Sequence, residues 1–330
     1  DMDTRELVQG LKDQGELVEI GEENLSDKYA EQDILAINVD MSCTRRCENC
    51  EKFFDCRSPA KMEIYQRRRM TQARDAMTNI KHKIAVVGGK GGVGKSIMTA
   101  NMAVSLAMRG RKVSILDQDF DGATIPKMLG VENGRLKIGD HGIVPVEGFL
   151  GVQVVSMGFL LASEEVLTWF HDMRRSATEE FVCHVNYGQR DFLLIDMPPG
   201  TSSDAMNVME YIPELAGAVV VTIPSDVSQN VARKATLLCR KAGVPVFGVI
   251  ENMSGYVCPK CGEAVNILST GGGENLAKEM DVPFLGRIPL DPRLSQCSDE
   301  GTPFVYKFPD SQAARNLMQV VEQIEKNLGY

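Results

Sequence analysis

From Lys83 onward the chain alternates short apolar runs with stretches of helical texture. Seven runs stand out: "KIAVVGG" (83–89), "KVSILD" (112–117), "VQVVSM" (152–157), "DFLLID" (191–196), "AGAVVVTI" (216–223), "VPVFGVIEN" (244–252) and "VPFLGRIP" (282–289). Their apolar residues are nearly continuous rather than alternating. Strands buried on both faces read this way, and they belong to parallel sheets covered by helices. The pattern predicts an α/β fold, a doubly wound and mostly parallel sheet that binds ligands at the carboxyl ends of its strands.

The texture before this point is different. "TRELVQGLKDQGELVEI" places apolar residues at Leu7, Leu11, Leu17 and Val18, with a helix stop at Gly15. Residues 1–40 read as a small helical or mixed extension, 41–57 as a cysteine-rich loop and 58–80 as a charged linker helix. The expected division is an N-terminal extension, 1–80, and a larger domain, 81–330. There is no internal repeat and no low-complexity segment.

Composition narrows the classes. Of the 330 residues, 43% are hydrophobic and 25% charged, which suits a soluble globular chain. A net charge of −9 argues against a nucleic-acid or anionic-membrane binder, since those need a basic face. Arg67, Arg68 and Arg69 read as a solvated helix face. No run reaches the roughly 18 apolar residues of a membrane span. The polar, acidic start is not that of a signal peptide, and the expected location is the cytoplasm. In a reducing compartment clustered thiols read as metal ligands or redox centres before disulfides. Six of the nine cysteines are clustered: Cys43, Cys47, Cys50, Cys56, Cys258 and Cys261. Cys183, Cys239 and Cys297 stand alone and read as small buried hydrophobes.

The first strand runs into "GKGGVGKS": Gly89, Lys90, Gly91, Gly92, Val93, Gly94, Lys95 and Ser96. This fits G-x-x-x-x-G-K-S/T in its required context, a strand before and a helix after. The glycines let backbone N–H groups turn toward a phosphate, and the helix N-terminus points at the same oxygens. Lys95 would neutralise β- and γ-phosphate charge and Ser96 would hold Mg²⁺. Asp117 and Asp196 end two other strands, where an open α/β sheet binds its ligand, and Asp119 follows closely. Each aspartate has a plainer reading as a helix cap or turn residue, and Asp121 could share the role of Asp117 or Asp119.

Lys90 inside the loop gives K-G-G-x-G-K-S, which resembles the deviant Walker pattern of the signature-lysine ATPases: the nitrogenase iron protein, MinD and ParA, and the Mrp/Nbp35 (ApbC-like) proteins. The resemblance implies a P-loop NTPase fold of the SIMIBI type and a dimer closed face to face over two ATP molecules. Lys90 would then reach the nucleotide of the partner chain, as an arginine finger does. Asp119 resembles the residue that orients the attacking water, Asp196 the Walker B acid, Gly200 a γ-phosphate sensor and Asn252 an adenine contact. The stretch E-N-M-S (251–254), C-P-x-C-G (258–262), G-G-G-E (271–274) and P-F-L-G-x-I-P-L-D-P (283–292) resembles the Mrp/Nbp35 branch in particular. The likeness covers roughly residues 81–300. It implies that Cys258 and Cys261 of each chain together hold one bridging 4Fe–4S cluster, four thiolates in all. A zinc site or a redox disulfide are the other readings of this CxxC.

The N-terminal thiols run Cys43-x₃-Cys47-x₂-Cys50-x₅-Cys56. The first three match the radical SAM loop, but no barrel follows, and Cys56 would close the iron that chemistry leaves open. The last three match the N-terminal cluster of the Nbp35 branch, whose first cysteine lies much further upstream than Cys43. A second 4Fe–4S cluster and a zinc site both remain open here. The switches also depart from the family, reading D-G-A-T-I-P at 121–126 and P-P-G-T-S-S-D at 198–204. The opening residues resemble those of UbiD-type decarboxylases, a hint of service to a specialised pathway enzyme.

The expectation is an ATP-dependent iron–sulfur carrier or scaffold with slow ATP hydrolysis. It would act as a homodimer, or with a hetero-partner of the same family, and deliver clusters to apo iron–sulfur proteins or serve a redox enzyme. Nucleic acid and membrane are not expected partners. The alternatives are an ATP-driven electron donor like the nitrogenase iron protein, and a MinD/ParA-like positioning ATPase.

Overall fold

The structure is a computed structural model that describes residues 50, 51, 56, 61–160, 171–257, 261, 263–265 and 270–330. The chain divides into two compact units, 1–67 and 68–330. Helix α1 (Lys61–Ala76) crosses that boundary. In the first unit Cys50 and Cys56 are half-buried.

Among the described residues the second unit holds a nine-stranded sheet, a separate two-stranded hairpin and the helices around the sheet. Its parallel strands are β1 (Ile80–Gly88), β2 (Val113–Asp117), β6 (Gln153–Ser156), β7 (Arg190–Asp196), β8 (Gly217–Thr222), β9 (Val246–Val257) and β11 (Phe284–Leu290). Across the sheet they run β11-β9-β8-β1-β7-β2-β6. The short β5 (Val146–Glu147) and β10 (Ala264–Val265) join antiparallel, on β6 and β9. A hairpin of β3 (Lys137–Gly139) and β4 (Gly142–Val144) stands outside the sheet.

Each of the seven apolar runs is one of the seven parallel strands. Their continuity has a direct cause, because successive side chains point to opposite faces and both faces are covered. Ile84 and Val86 of β1 and Leu194 of β7 pack with Met98, Met102 and Leu106 of α2 (Lys95–Met108). Leu317, Val320, Val321 and Ile324 of α10 (Gln312–Asn327) join the same layer. On the other face Ala85 and Val87 of β1 with Leu193 and Ile195 of β7 meet Ala73 and Met77, Phe181 and Val182, Val208, Ala232 and Ala235. Those last five come from α4 (His171–His184), α5 (Ser203–Tyr211) and α6 (Asp226–Lys241). Strands β3, β4, β5 and β10 carry no such run, being two or three residues long and partly exposed.

Helix starts are set by local chemistry. Ser202, Ser225 and Ser311 accept hydrogen bonds from backbone N–H groups in the first turns of α5, α6 and α10. Asp291 does the same for α8 (Pro292–Glu300), with proline at its first position. Two helices start at a left-handed glycine with no cap from that residue's own side chain. They are α2 after Gly94 and α7 (Gly272–Glu279) after Gly271. Both matter below.

Candidate functional site

The sheet order brings three strand ends together. β1 lies between β8 and β7, and β7 is followed by β2, so the loop after Gly88 sits beside the ends of β7 and β2. In register, Asp196 pairs with both Val86 and Asp117. The loop itself admits little side chain. A Cβ on Gly89 would lie 2.4 Å from the backbone nitrogen of Ala232 in α6. A Cβ on Gly94 would lie 2.3 Å from Nδ2 of Asn252, and Gly94 has φ +85°. Gly91 and Gly92 face open space, Lys90 is exposed, and Val93 anchors the loop in the core. No side chain caps α2 and no acid sits in its first turn, which leaves its positive end for an anion.

The acidic side of the site is buried. Lys95 Nζ lies 2.8 Å from Asp196 Oδ2 and 3.9 Å from Asp119. Ser96 Oγ donates to Asp196 Oδ2 at 2.6 Å, and Thr99 Oγ1 to Asp196 Oδ1 at 2.9 Å. Asp117 accepts from Ser156 Oγ at 3.0 Å and from the Asp119 backbone N–H at 3.1 Å. Burial, then the neighbouring Asp196 charge, push the Asp117 carboxyl up to about 8, with Lys95 only partly opposing them. Burial also raises Asp119, again against Lys95.

Three carboxyl groups thus face one ammonium, more ionisable acid than a single lysine can neutralise. A hard divalent cation with oxygen ligands fits that excess. Among the described residues no three His, Cys, Asp or Glu side chains converge closely enough to ligate a metal directly. Magnesium would therefore be held through Ser96, with the aspartates acting on its water shell.

The segments expected to act as switches are tied to this frame. Gly200, at φ +79°, donates its N–H to the Gly88 carbonyl at 3.3 Å. Asn252 donates Nδ2 to the Val93 carbonyl at 2.9 Å, so its partner in the structure is the loop itself. Arg174 of α4 forms a fork with Asp121 at 2.7 and 2.9 Å and reaches Asp204 at 3.4 Å. One guanidinium therefore links the segment after β2 to the start of α5. Sequence reading missed Thr99, Ser156 and Arg174. Thr99 lies one helical turn after Lys95 on the same face, a spacing that was available. The other two come from a strand and a helix far away in the chain and left no local signal.

The cysteines divide into three groups. Cys183, Cys239 and Cys297 are buried, as expected of lone thiols, and burial pushes Cys183 and Cys239 up to about 11. In the CPxC segment, β9 and β10 pair Val257 with Ala264 and Tyr256 with Val265, so the chain turns back across the stretch that holds both thiols. Cys261 is exposed; Cys258 lies outside the described residues. Cys43 and Cys47 also lie outside them, so the ligand set expected in the N-terminal loop is described only at Cys50 and Cys56.

Comparison with known proteins decides the family. The ParA model described as the NUBPL iron-transfer P-loop NTPases matches residues 79–325. The chain belongs to this family. A relative named iron-sulfur cluster carrier protein, from Saccharolobus solfataricus, is 43% identical over 251 residues, 76% of this chain and 85% of the relative. A protein of the same name from Methanocaldococcus jannaschii is 40% identical over 283 residues, 86% of this chain and 96% of its own. The chicken cytosolic Fe-S cluster assembly factor NUBP2 is 41% identical, covering 76% and 94%.

Among solved structures, a nucleotide-binding protein from Archaeoglobus fulgidus in complex with ADP is 36% identical. It superposes with a TM-score of 0.65 over 72% of this chain and 93% of that one. The cell division ATPase MinD of Pyrococcus furiosus is 28% identical, with a TM-score of 0.57 over 74% and 99%. The iron-transfer NTPase assignment and the doubly wound fold bear out the sequence reading. Among the described residues no helix is long and apolar enough to cross a membrane.

Proposed function

We propose that this iron-transfer NTPase is an ATP-dependent carrier or scaffold that binds a 4Fe–4S cluster between two copies of the chain and delivers it to apo-proteins. The observation that carries the reading is one continuous strand. β9 contributes Asn252 to the phosphate loop and ends, five residues later, at the segment bearing Cys258 and Cys261.

The chain's own groups divide the work. Backbone N–H groups around Gly91–Ser96 and the start of α2 bind the nucleotide phosphates, and Lys95 neutralises their charge. Ser96 would hold Mg²⁺, with Asp117 and Asp196 acting on its water shell, and the ion would offset phosphate charge. Asp119 orients the attacking water. Lys90, exposed at the mouth of the loop, stabilises the transferring group on the partner chain's nucleotide. Gly200 reports γ-phosphate occupancy by exchanging its bond to Gly88 for one to the phosphate.

Cys258 and Cys261 supply two thiolates per chain, half of what a cluster requires, so binding needs a second chain, another copy or a relative of the same family. Cys43, Cys47, Cys50 and Cys56 hold a second cluster. Hydrolysis is slow and times release rather than driving metabolic flux.

The test is anaerobic purification with iron and sulfide counting and electron paramagnetic resonance, on wild type and on Cys258→Ala/Cys261→Ala. Loss of a 4Fe–4S signal and its iron in the double variant supports the reading. Zinc without iron in the wild type refutes it.

A further inference from the structure

The E-N-M-S segment does more than end a strand. Successive strand residues point to opposite sides, and here each side has a different partner. Asn252 faces the phosphate loop through its bond to the Val93 carbonyl. Glu251, fully buried, faces the other way. Its carboxylate accepts from the Gly271 N–H at 3.0 Å, from the Gly273 N–H and from the Ser254 hydroxyl, and lies 3.6 Å from Arg287 Nε. Ser254 precedes the CPxC segment and Gly271 follows it. One side chain therefore pins both ends of the stretch that carries Cys258 and Cys261. It also supplies the cap that α7 lacks from its own N-terminal residue.

The backbone between these anchors is bent. Met253 has φ +53° and Gly255 φ +73°. The pairing of β9 with β11 slips there, from Asn252 opposite Ile288 to Tyr256 opposite Leu290, four residues against two. Such a bulge re-aims the strand beyond it. A non-glycine residue in the left-handed region persists only where its surroundings hold it, and the Glu251–Ser254 bond spans Met253. The glycines of G-G-G-E permit the close approach: a Cβ on Gly273 would lie 2.8 Å from Glu251 Cβ.

We infer that Glu251–Ser254 is the joint through which the phosphate loop positions the cysteine segment, with Glu251 as its positioning residue. The inference rests on the carrier reading above. A nucleotide-induced shift of the Val93 carbonyl acts on Asn252. One peptide bond away, Glu251 passes it to both ends of the cysteine-bearing stretch, and the bend at Met253 lets the two halves of β9 move as separate arms.

The test uses the full chain before cluster loading, with and without a non-hydrolysable ATP analogue. Iodoacetamide labelling of Cys258 and Cys261 is followed by mass spectrometry. In the wild type the analogue changes the labelling rate by about fivefold or more, the lower range of ordinary coupling between sites. Glu251→Gln, which keeps the side chain's shape, binds the analogue and loses this response. Met253→Gly removes no side-chain bond and relaxes the bend; it melts with the wild type and shows a reduced response, which keeps the test decisive should Glu251→Gln fail to fold. Wild-type responses in both variants, or no response in the wild type, overturn the joint. A wild type that responds but passes no cluster to an acceptor refutes the carrier reading and leaves the joint standing.

Discussion

Lys90 and Lys95 sit in one loop and do opposite things. Lys95 is buried against Asp196, while Lys90 projects into solvent with the loop's open side. Lys90→Ala is therefore expected to retain nucleotide binding and to lose turnover by about 10³-fold, the lower range for a cation supplied across an interface. Phosphate release beside a nucleotide titration checks this, and unchanged turnover would count against the trans-acting role. Gly94→Ala faces two penalties together, a left-handed backbone and a 2.3 Å approach to Asn252. It should lower stability by about 1–3 kcal/mol, read as a shift in the denaturant midpoint, and should weaken nucleotide binding with it. At this scale the sequence was most legible where a motif fixes residue type and spacing. The loop lies between β1 and α2, the strand and helix that the motif requires. What it could not show was partnership: the Ser156 bond to Asp117 joins residues 39 apart, and only the pairing of β2 with β6 brings them together.

Between elements, the Arg174 fork joins segments far apart in the chain. It ties Asp121 after β2 to Asp204 at the start of α5. Both acids lie where the switches depart from the family pattern. Arg174→Ala should change thermal stability by less than about 1 kcal/mol, since Asp121 is largely exposed. It should nonetheless lower ATP turnover several-fold, because the switches no longer order together. An unaltered rate would make the fork incidental. A second inter-element contact works through stability alone. Glu325 of α10 is buried between Arg109 and Arg111, which leave α2. Glu325→Ala should cost about 1–3 kcal/mol, a buried pair discounted for its half-exposed arginines, with turnover per folded molecule unchanged. A melting curve matching wild type would contradict this. Strand identities were readable because apolar continuity is a local signal. The β3–β4 hairpin, β5 and β10 were not, since strands of two or three residues have no period to detect.

At the scale of the whole molecule the proposed carrier makes the two-thiol segment and the phosphate loop depend on each other. Under that proposal two thiolates are half of a cluster's ligands and Lys90 serves a partner's nucleotide, so a second chain would supply both needs. Sedimentation should show the chain shifting to a dimer with the non-hydrolysable analogue, and the Lys90→Ala variant shifting less. A chain that stays monomeric at cluster-binding concentrations would contradict the shared site. Net charge, family and fold were all legible at this scale. The geometry joining the two sites was not, because Glu251 reads in sequence as an ordinary strand residue.

The carrier claim itself rests on where the cluster goes. The direct measurement loads the chain anaerobically, mixes it with an apo-ferredoxin and follows iron in both proteins after their separation. The acceptor should gain a 4Fe–4S cluster as the donor loses its iron, faster with ATP and absent for Cys258→Ala/Cys261→Ala. A donor that keeps its iron while ATP drives reduction of the acceptor would contradict the account and identify an electron donor instead.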